Sequence, residues 1–212
     1  MKKMELSLQE TKEMFMYVAE QMIASKELLT EADMVIGDGD HGIGMAKGFT
    51  AVREKLNGDE FTSLDEICKT VGFALMMSIG GASGAIFGTL YQGAAKSLTG
   101  QTTFTATALS TMLESGLDAV KVRGKSKPGD KTMVDALEPA ATASKACLSL
   151  HLGEALSVAT EAARLGMEKT KEMVATMGRA KSLGERSLGH PDPGAISTHL
   201  ILNFMTEYVK GV

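Results

Sequence analysis

The sequence predicts an all-α fold, an antiparallel up-and-down bundle or barrel of eight helices. Apolar residues recur at helical spacing through most of the chain, and no stretch shows the two-residue alternation of a half-buried strand. Short connections at 99–102 and 150–152 favour antiparallel neighbours. The predicted helices cover residues 6–28, 42–57, 63–78, 84–98, 103–122, 131–149, 153–176 and 194–211.

Local signals support the individual helices. Ser7 with Glu10, in the first helix, and Ser63 with Glu66, in the third, have the spacing of a capping box, in which a hydroxyl and a carboxylate satisfy amides of the first turn. The second, fourth, sixth and eighth helices follow glycine-containing loops. The alanine-rich run at 138–147 suits helix formation and close packing between helices.

Composition places the chain among ordinary folded domains. It has 212 residues, of which 44% are hydrophobic and 23% charged. We expect a single domain over 1–212, because no linker, charge block or low-complexity segment divides it. A net charge of −4 argues against nucleic acid or an anionic membrane surface as the main partner, and no apolar run approaches the ~20 residues of a membrane span.

The sulfur-containing residues have plain interpretations. Cys68 and Cys147 are too few for a disulfide framework, so we expect two buried thiols in a reducing, cytoplasmic setting. The N-terminal stretch shows no signal-peptide core, which agrees with a cytoplasmic location. Methionines within helical patterns, such as Met14 and Met77, are interpreted as core filler rather than as a metal- or peptide-binding feature.

Four loops combine glycines with acids, bases or hydroxyls, and each precedes a predicted helix. They span residues 33–44, 79–88, 123–132 and 178–195. They follow the first, third, fifth and seventh predicted helices. Because alternate connections of an antiparallel bundle lie at the same end, we expect all four loops at one rim, where they can form a composite site.

The first loop holds Asp33, Asp38 and Asp40 in a D-x4-D-x-D arrangement. Carboxylates this close repel one another unless a cation compensates them, and hard oxygen ligands suit Mg²⁺. The alternative is turn and cap chemistry, since Asp-Gly is a common turn pair. The sequel His-Gly-Ile-Gly (41–44) leads into a helix whose first N–H groups can bind an anion, which favours a metal–phosphate complex.

The second and third loops are less specific. Residues 80–84 offer another glycine-rich helix start, with a tight connection capped by Ser83 as the alternative. The third loop is basic, and we interpret its lysines, Lys131 among them, as solvated charges. Asp130 is positioned to cap the helix predicted to begin at Lys131.

The fourth loop is long and irregular, which is typical of a binding or lid segment. Arg179 can neutralise phosphate through a bidentate contact. For His190, a loop-ordering hydrogen bond and a catalytic role both stay open. Together the loops supply what nucleotide phosphates and phosphoryl transfer require. No Ser-His-Asp, Cys-His or zinc-ligand pattern is evident.

At these loops the sequence resembles the ADP-binding L subunits of dihydroxyacetone kinases. The matching strings are IGDGDHG (36–42), GGASG (80–84), GKSKPGDKTMVDAL (124–137) and LGERSLGHPDPGA (183–195). They occur in the family's order, and the resemblance covers essentially the whole chain. It implies an eight-helix antiparallel barrel with the nucleotide site in loops at one rim.

The resemblance also implies roles for individual residues. Asp33, Asp38 and Asp40 match the carboxylates that hold two Mg²⁺ ions. No side-chain nucleophile is implied, and Arg179 acts as a phosphate stabiliser. The implied nucleotide-binding residues are His41, Gly42, Ile43, Gly44, Ala82, Ser83, Gly124, Met133, Arg179, Asp192, Pro193 and Gly194.

The activity implied by the resemblance is that of a phosphoenolpyruvate-dependent phosphotransferase. Tightly bound ADP/ATP would relay a phosphoryl group from an M-type phosphohistidine subunit to dihydroxyacetone on a separate K-type subunit. An ATP-dependent kinase for dihydroxyacetone or a four-carbon ketose stays open, as do a nucleotide-loaded regulator of a transcription factor and a homodimer. The chain departs from the family at Lys181-Ser182, where Ser-Tyr is common, and at Ala85, where proline is common. These departures leave the ketose and the partner contacts open.

Overall fold

The computed structural model describes residues 4–211, which are mostly helical. Strands β1 (Leu6–Ser7) and β2 (Thr103–Phe104) form a two-residue antiparallel pair, and 3₁₀ turns cover Thr170–Glu172 and Arg179–Ser187. The α-helices in this range are α1 (Leu8–Ala24), α2 (Lys26–Ile36), α3 (His41–Gly58), α4 (Leu64–Ser78), α5 (Gly81–Ser97), α6 (Ala106–Gly124), α7 (Val134–Lys145), α8 (Leu152–Lys169) and α9 (Pro193–Lys210).

Eight of these helices form a closed ring. Helix α1 packs against α3, each helix from α3 to α9 packs against the next, and α9 returns to α1. The remaining helix, α2, packs mainly against α3. The predicted all-α barrel of eight helices is therefore confirmed, with α2 as an addition that the sequence did not reveal.

The prediction of one helix over 6–28 is wrong at its C-terminal end. Helix α1 stops at Ser25, whose N–H and hydroxyl both donate to the carbonyl of Gln21, at 2.9 and 2.8 Å. The N–H bond belongs to the regular helical ladder, but the hydroxyl bonds back to the same carbonyl, an arrangement that often bends a helix, and a separate helix follows. As a result, Asp33 lies in the last turn of α2 and not in a loop.

One of the two predicted capping boxes is confirmed. The Ser7 hydroxyl accepts from Glu10 N–H at 3.3 Å, and the Glu10 carboxylate accepts from Ser7 N–H at 2.9 Å. The second is wrong, because Ser63 makes no side-chain capping bond. Glu66 instead accepts from the N–H and hydroxyl of Thr62, at 2.7 and 3.0 Å.

Several predicted helix ends also shift. Helix α6 begins later than 103 because Thr103–Phe104 pairs with β1, and α8 ends at Lys169 rather than at residue 176.

Cys68 and Cys147 are buried free thiols, as predicted. Among the methionines, Met14 is fully buried, but Met77 is 68% exposed, so the interpretation as core filler is wrong there.

The ring brings the four predicted loops to the same end of the molecule. They connect α2 to α3, α4 to α5, α6 to α7 and α8 to α9. Helix α2 adds one helix to the predicted eight, but the four loops still meet at one end, because α1 and α2 together occupy the place of the first predicted helix. Within residues 4–211, no helix is both long and apolar enough to cross a membrane.

A glycine-mediated contact fixes how α8 lies against α7. An added Cβ at Gly166 would come within 2.1 Å of the Asp135 carbonyl oxygen, whereas one at Gly153, also on α8, would meet its nearest atom at 3.4 Å. We expect Gly166→Ala to lower the free energy of unfolding by roughly 1–3 kcal/mol through overpacking. Gly153→Ala is the matched control and should be neutral or stabilising, because alanine favours the helix. Urea unfolding of both variants tests this, and equal midpoints would contradict it.

Candidate metal and nucleotide site

The four loops line one cleft of about 240 Å³ at their end of the ring. Its walls come from residues within 33–41, 80–87, 131–133, 177–180 and 192–194. The predicted meeting of the loops is thus observed in the geometry. The cleft combines acidic, basic, hydroxyl and apolar groups, a mixture that suits a polyanionic ligand held with a cation.

The three predicted metal ligands lie together at one side of the cleft. Asp33, Asp38 and Asp40 each offer a carboxylate oxygen, and these oxygens lie within 4.8 Å of one another. Asp33 is only 9% exposed, and one of its oxygens accepts from the backbone N–H of His41 at 3.1 Å. The Asp38 and Asp40 side chains are 44% and 65% exposed. Three close carboxylate oxygens are a donor set that fits Mg²⁺.

Arg179 belongs to the connection between α8 and α9, and it lies against this acidic cluster. It is the first residue of the 3₁₀ segment between α8 and α9. Its guanidinium contacts the Asp38 carboxylate, and its Nη2 lies 3.1 Å from Asp40 Oδ2. The arginine therefore offsets the repulsion among the carboxylates, and it places a flexible positive charge at the mouth of the cleft.

His41 joins three parts of the site. It is the first residue of α3, and its Nε2 lies 2.8 Å from the hydroxyl of Ser197 on α9. Its Nδ1 lies 3.4 Å from the hydroxyl of Ser83 on α5. Burial lowers the pKa of His41, against a smaller opposing effect of the Asp33 charge, so the ring is neutral near pH 7.

The glycines after His41 serve close packing. An added Cβ at Gly42 would lie 2.2 Å from the Lys26 carbonyl oxygen of α2, so this position needs glycine. Gly42, Ile43 and Gly44 do not line the cleft, and Ile43 is 54% exposed. Gly124, the last residue of α6, is also outside the lining, and a Cβ added there would lie 3.2 Å from Ile86, which lines the cleft. The nucleotide contacts predicted for these four residues stay predictions.

The second loop presents the N-terminus of α5 to the cleft. The helix begins at Gly81 with Gly80 as its N-cap, so the alternative of Ser83 as N-cap is wrong. Ala82 and Ser83 lie in the first turn and line the cleft. The first backbone N–H groups of a helix have no partners within it, and they therefore form a natural anion site.

The third loop differs most from its prediction. Asp130 does not cap α7, which begins at Val134; its carboxylate accepts from Lys127 N–H at 2.8 Å and from the Thr176 hydroxyl at 2.7 Å. The interpretation of Lys131 as a solvated charge is wrong, because only 1% of it is exposed. Met133 lines the cleft, and its predicted contact with a nucleotide stays a prediction.

The fourth loop ends at a buried cap. Asp192 is the N-cap of α9 and accepts from Ala195 N–H at 2.8 Å. Burial raises the pKa of Asp192 to about 7. Asp192, Pro193 and Gly194 all line the cleft, and the nucleotide contacts predicted for them stay predictions. The backbone carbonyl of His190 accepts a hydrogen bond from Lys131, which makes this part of the loop an ordering element.

Sequence reasoning missed two polar residues of the site. Ser197 lies inside an apolar helix, where nothing in the sequence marks a hydroxyl as a partner of His41. Lys131 stands among exposed lysines of the same loop, of which Lys125 shares its left-handed backbone, and its burial sets it apart. Neither property is encoded in a local residue pattern.

Comparison with known proteins agrees with this geometry. The profile of the DAK2 domain family matches residues 35–207. The Listeria innocua "PEP-dependent dihydroxyacetone kinase 1, ADP-binding subunit DhaL" is 39% identical over 188 residues, covering 89% of this chain and 90% of that protein. The corresponding Escherichia coli subunit is 39% identical over 186 residues, covering 87% and 89%. The L-erythrulose 1-kinase of Mycolicibacterium smegmatis is 34% identical over 90% of this chain but only 34% of that protein.

Solved structures show the same fold. The dihydroxyacetone kinase of C. freundii in its native form matches 97% of this chain with a TM-score of 0.75 at 25% identity. The same enzyme in complex with AMP-PNP and Mg²⁺ matches 92% with a TM-score of 0.72 at 26% identity. This chain spans 35% and 33% of those longer chains. With a profile match over most of its length and two relatives of nearly equal extent, the chain belongs to the DAK2 domain family.

Proposed function

We propose that this chain is the nucleotide-bearing subunit of a phosphoenolpyruvate-dependent dihydroxyacetone kinase, acting in the cytoplasm as a single L-type domain. In this scheme it passes a phosphoryl group from an M-type phosphohistidine partner to dihydroxyacetone on a separate K-type subunit, while ADP/ATP stays bound. The observation that carries the proposal is the convergence of an acidic cluster, two helix N-termini and Arg179 on one cleft. The ADP-binding relatives of similar length support it.

The acidic cluster is the proposed metal site. Asp33, Asp38 and Asp40 would hold two Mg²⁺ ions, as the family resemblance implies. The fit rests on the donor set, since a guanidinium already lies against two of the three carboxylates and the cluster therefore accepts positive charge. Bound Mg²⁺ supplies neutralisation of phosphate oxygen charge.

The phosphates are proposed to lie between the N-termini of α3 and α5. His41 and Ser83 line the cleft at these two helix starts, where the helix dipoles favour anions. At α5 the N–H groups of the first turn add to this effect, whereas the His41 N–H of α3 donates to Asp33. Phe87, Met133 and Pro193 give the cleft an apolar wall that suits a nucleobase.

The contribution of the chain to catalysis is positioning and charge stabilisation. The His41 ring bonds to the hydroxyls of Ser83 and Ser197, and its proposed role is to orient the groups at this end of the cleft. Arg179 is proposed to shift from the carboxylates to the phosphates, where a bidentate contact stabilises developing negative charge. The reacting ketose is held by the partner, and this chain supplies a fixed phosphoryl donor in a defined orientation.

The surface near the cleft supports docking of a K-type partner. Apolar side chains stand exposed next to the first two loops: Met34 and Val35 at the end of α2 are 69% and 51% exposed, and Phe73 and Met77 near the end of α4 are 58% and 68% exposed. Large exposed apolar residues at one end of a domain are typical of an interaction surface. We propose that the K-type subunit covers them.

The metal assignment predicts a sharp loss in Asp38→Asn. We expect Mg²⁺-dependent ADP binding to weaken by roughly 100-fold or more, since even outer residues of metal sites are worth 10–100-fold. The fold should persist, because removing one crowded carboxylate relieves repulsion. Calorimetric titration with ADP in the presence and absence of Mg²⁺ measures this. Asp59→Asn, at the exposed end of α3, is the control and should bind as the parent does. Unchanged binding in Asp38→Asn would remove the metal assignment.

Ligand linkage predicts a change in thermal stability. ADP with Mg²⁺ at 100 times its dissociation constant should stabilise the folded state by about 2.7 kcal/mol. For a chain of this size that corresponds to a rise in Tm of roughly 5–10 °C. EDTA should reverse the rise. A Tm that responds to neither ADP nor EDTA would contradict a tightly held metal–nucleotide complex.

The identity of the phosphoryl donor distinguishes two versions of the proposed kinase. If ADP is a fixed cofactor, protein purified without added nucleotide should carry ADP through gel filtration, since tight binding is chiefly slow release. With the K-type subunit and dihydroxyacetone, it should then turn over many times on phosphoenolpyruvate and the relay proteins. ATP alone should yield about one equivalent of product.

Sustained turnover on ATP alone would assign this chain to an ATP-dependent kinase. The similarity to the L-erythrulose kinases favours that second candidate, and L-erythrulose should therefore be assayed beside dihydroxyacetone. Such an outcome would leave the proposed metal and phosphate contacts standing, because both versions use the same cleft.

A further inference from the structure

Lys131 is a buried lysine in a backbone conformation that glycine adopts most easily. Its φ is 59°, and it is 1% exposed. Both properties are unfavourable for a lysine, since the left-handed region crowds its Cβ and burial removes water from its ammonium group. A loop that needed only to turn at this point would be better served by glycine. The side chain must therefore satisfy a specific requirement nearby.

The ammonium of Lys131 joins the two ends of the segment that carries Arg179. Its Nζ donates to the carbonyl of Thr170, where α8 ends, and to the carbonyl of His190, just before α9, both at 2.6 Å. A third hydrogen bond joins the same two ends of the segment, from Asp192 N–H to the Thr170 hydroxyl at 2.9 Å. One side chain of the third loop thus holds both ends of the connection between α8 and α9.

The part of this segment that carries Arg179 is mostly exposed. The other bonds that hold the segment join Ala175 N–H to the Ser187 hydroxyl at 3.0 Å, Gly189 N–H to the Lys171 carbonyl at 2.8 Å, and the Thr176 hydroxyl to Asp130 at 2.7 Å. Of the residues in Arg179–Ser187, only Ser187 is buried. Gly178 and Gly184 have positive φ values of 64° and 55°, which mark points where the backbone bends. A segment with few buried apolar contacts opens at low free-energy cost unless its base is fixed.

We propose that Lys131 is a positioning residue that keeps the Arg179-bearing segment closed over the cleft and thereby slows the release of bound nucleotide. The inference rests on the proposed function for its ligand but on observed contacts for its mechanism. Lys131 acts through its hold on Thr170 and His190, which places Arg179 beside Asp38 and Asp40. Hydrogen bonds from a charged donor are about twice as strong as neutral ones, which suits an ammonium to this task.

The test compares Lys131→Met with Lys125→Met. Lys125 is a matched control, because it is also a lysine of the third loop with a positive φ, 52°, but its side chain is exposed. Each variant is loaded with a fluorescent ADP analogue, mant-ADP, and Mg²⁺, and release is followed after adding excess ADP. We expect release at least tenfold faster than the parent in Lys131→Met, and within twofold of it in Lys125→Met.

Limited proteolysis supplies a readout that general destabilisation would not reproduce. Trypsin should cut Lys131→Met faster than the parent after Arg179, Lys181 and Arg186. Cleavage after Arg53 and Lys55, near the other end of the ring, should be unchanged. Equal release by the parent and a folded Lys131→Met would overturn the proposal, and so would cleavage that accelerates equally at all sites.

The test also covers a Lys131→Met variant that does not fold and a parent protein that binds no nucleotide analogue. If Lys131→Met does not fold, Thr176→Val removes a weaker tie between the same loops, the 2.7 Å bond to Asp130 Oδ1, and must still speed release several-fold for the proposal to stand. If the parent protein, first freed of copurified nucleotide with EDTA, binds no mant-ADP in the presence of Mg²⁺, the proposed function fails. Trypsin cleavage of the fourth loop then still tests the closure, and equal rates in parent and Lys131→Met would overturn it.

Discussion

Three carboxylates placed within 4.8 Å of one another require a positive charge beside them, and this requirement organises the functional end of the molecule. In this structure Arg179 meets it by contacting Asp38 and Asp40. The acids lie between α2 and α3, whereas the arginine lies between α8 and α9, on the far side of the sequence. The electrostatics of the acidic cluster therefore depend on ring closure and on how the last long connection is held.

Close backbone contacts are the second condition for the site. Gly42 lets the start of α3 approach α2, and an added Cβ at Gly84 would lie 2.1 Å from the Ile79 carbonyl oxygen. These contacts leave no room for side chains, and they fix the direction in which the N-termini of α3 and α5 point. The first turn of α5 consequently lies at the cleft, whereas at the start of α3 the N–H of His41 donates to the Asp33 carboxylate. Glycine in these loops therefore serves packing as much as it serves access for a ligand.

Much of this could be predicted from local patterns, and what failed depends on non-local contacts. The eight-helix ring and the meeting of four loops followed from helical periodicity and short connections, and the Ser7–Glu10 cap followed from spacing. The break at Ser25 was missed because a serine within an apolar pattern does not reveal that its hydroxyl will bond to Gln21. The burial of Lys131 was missed for a related reason, since its partners Thr170 and His190 are distant in sequence.

If the chain keeps its nucleotide while partners reach the phosphates, as proposed, its cleft has to meet opposed demands. The acidic side of the cleft is open, with Asp38 and Asp40 about half exposed, and this is where a partner can approach. The bonds that hold the Arg179 segment lie at its base, where Lys131 and Thr170 are almost fully buried. Because the exposed acids and the buried ties belong to different connections of the ring, docking at the mouth does not have to break the contacts proposed to retain the ligand. This separation gives the buried lysine a physical reason to persist in a position that is otherwise unfavourable.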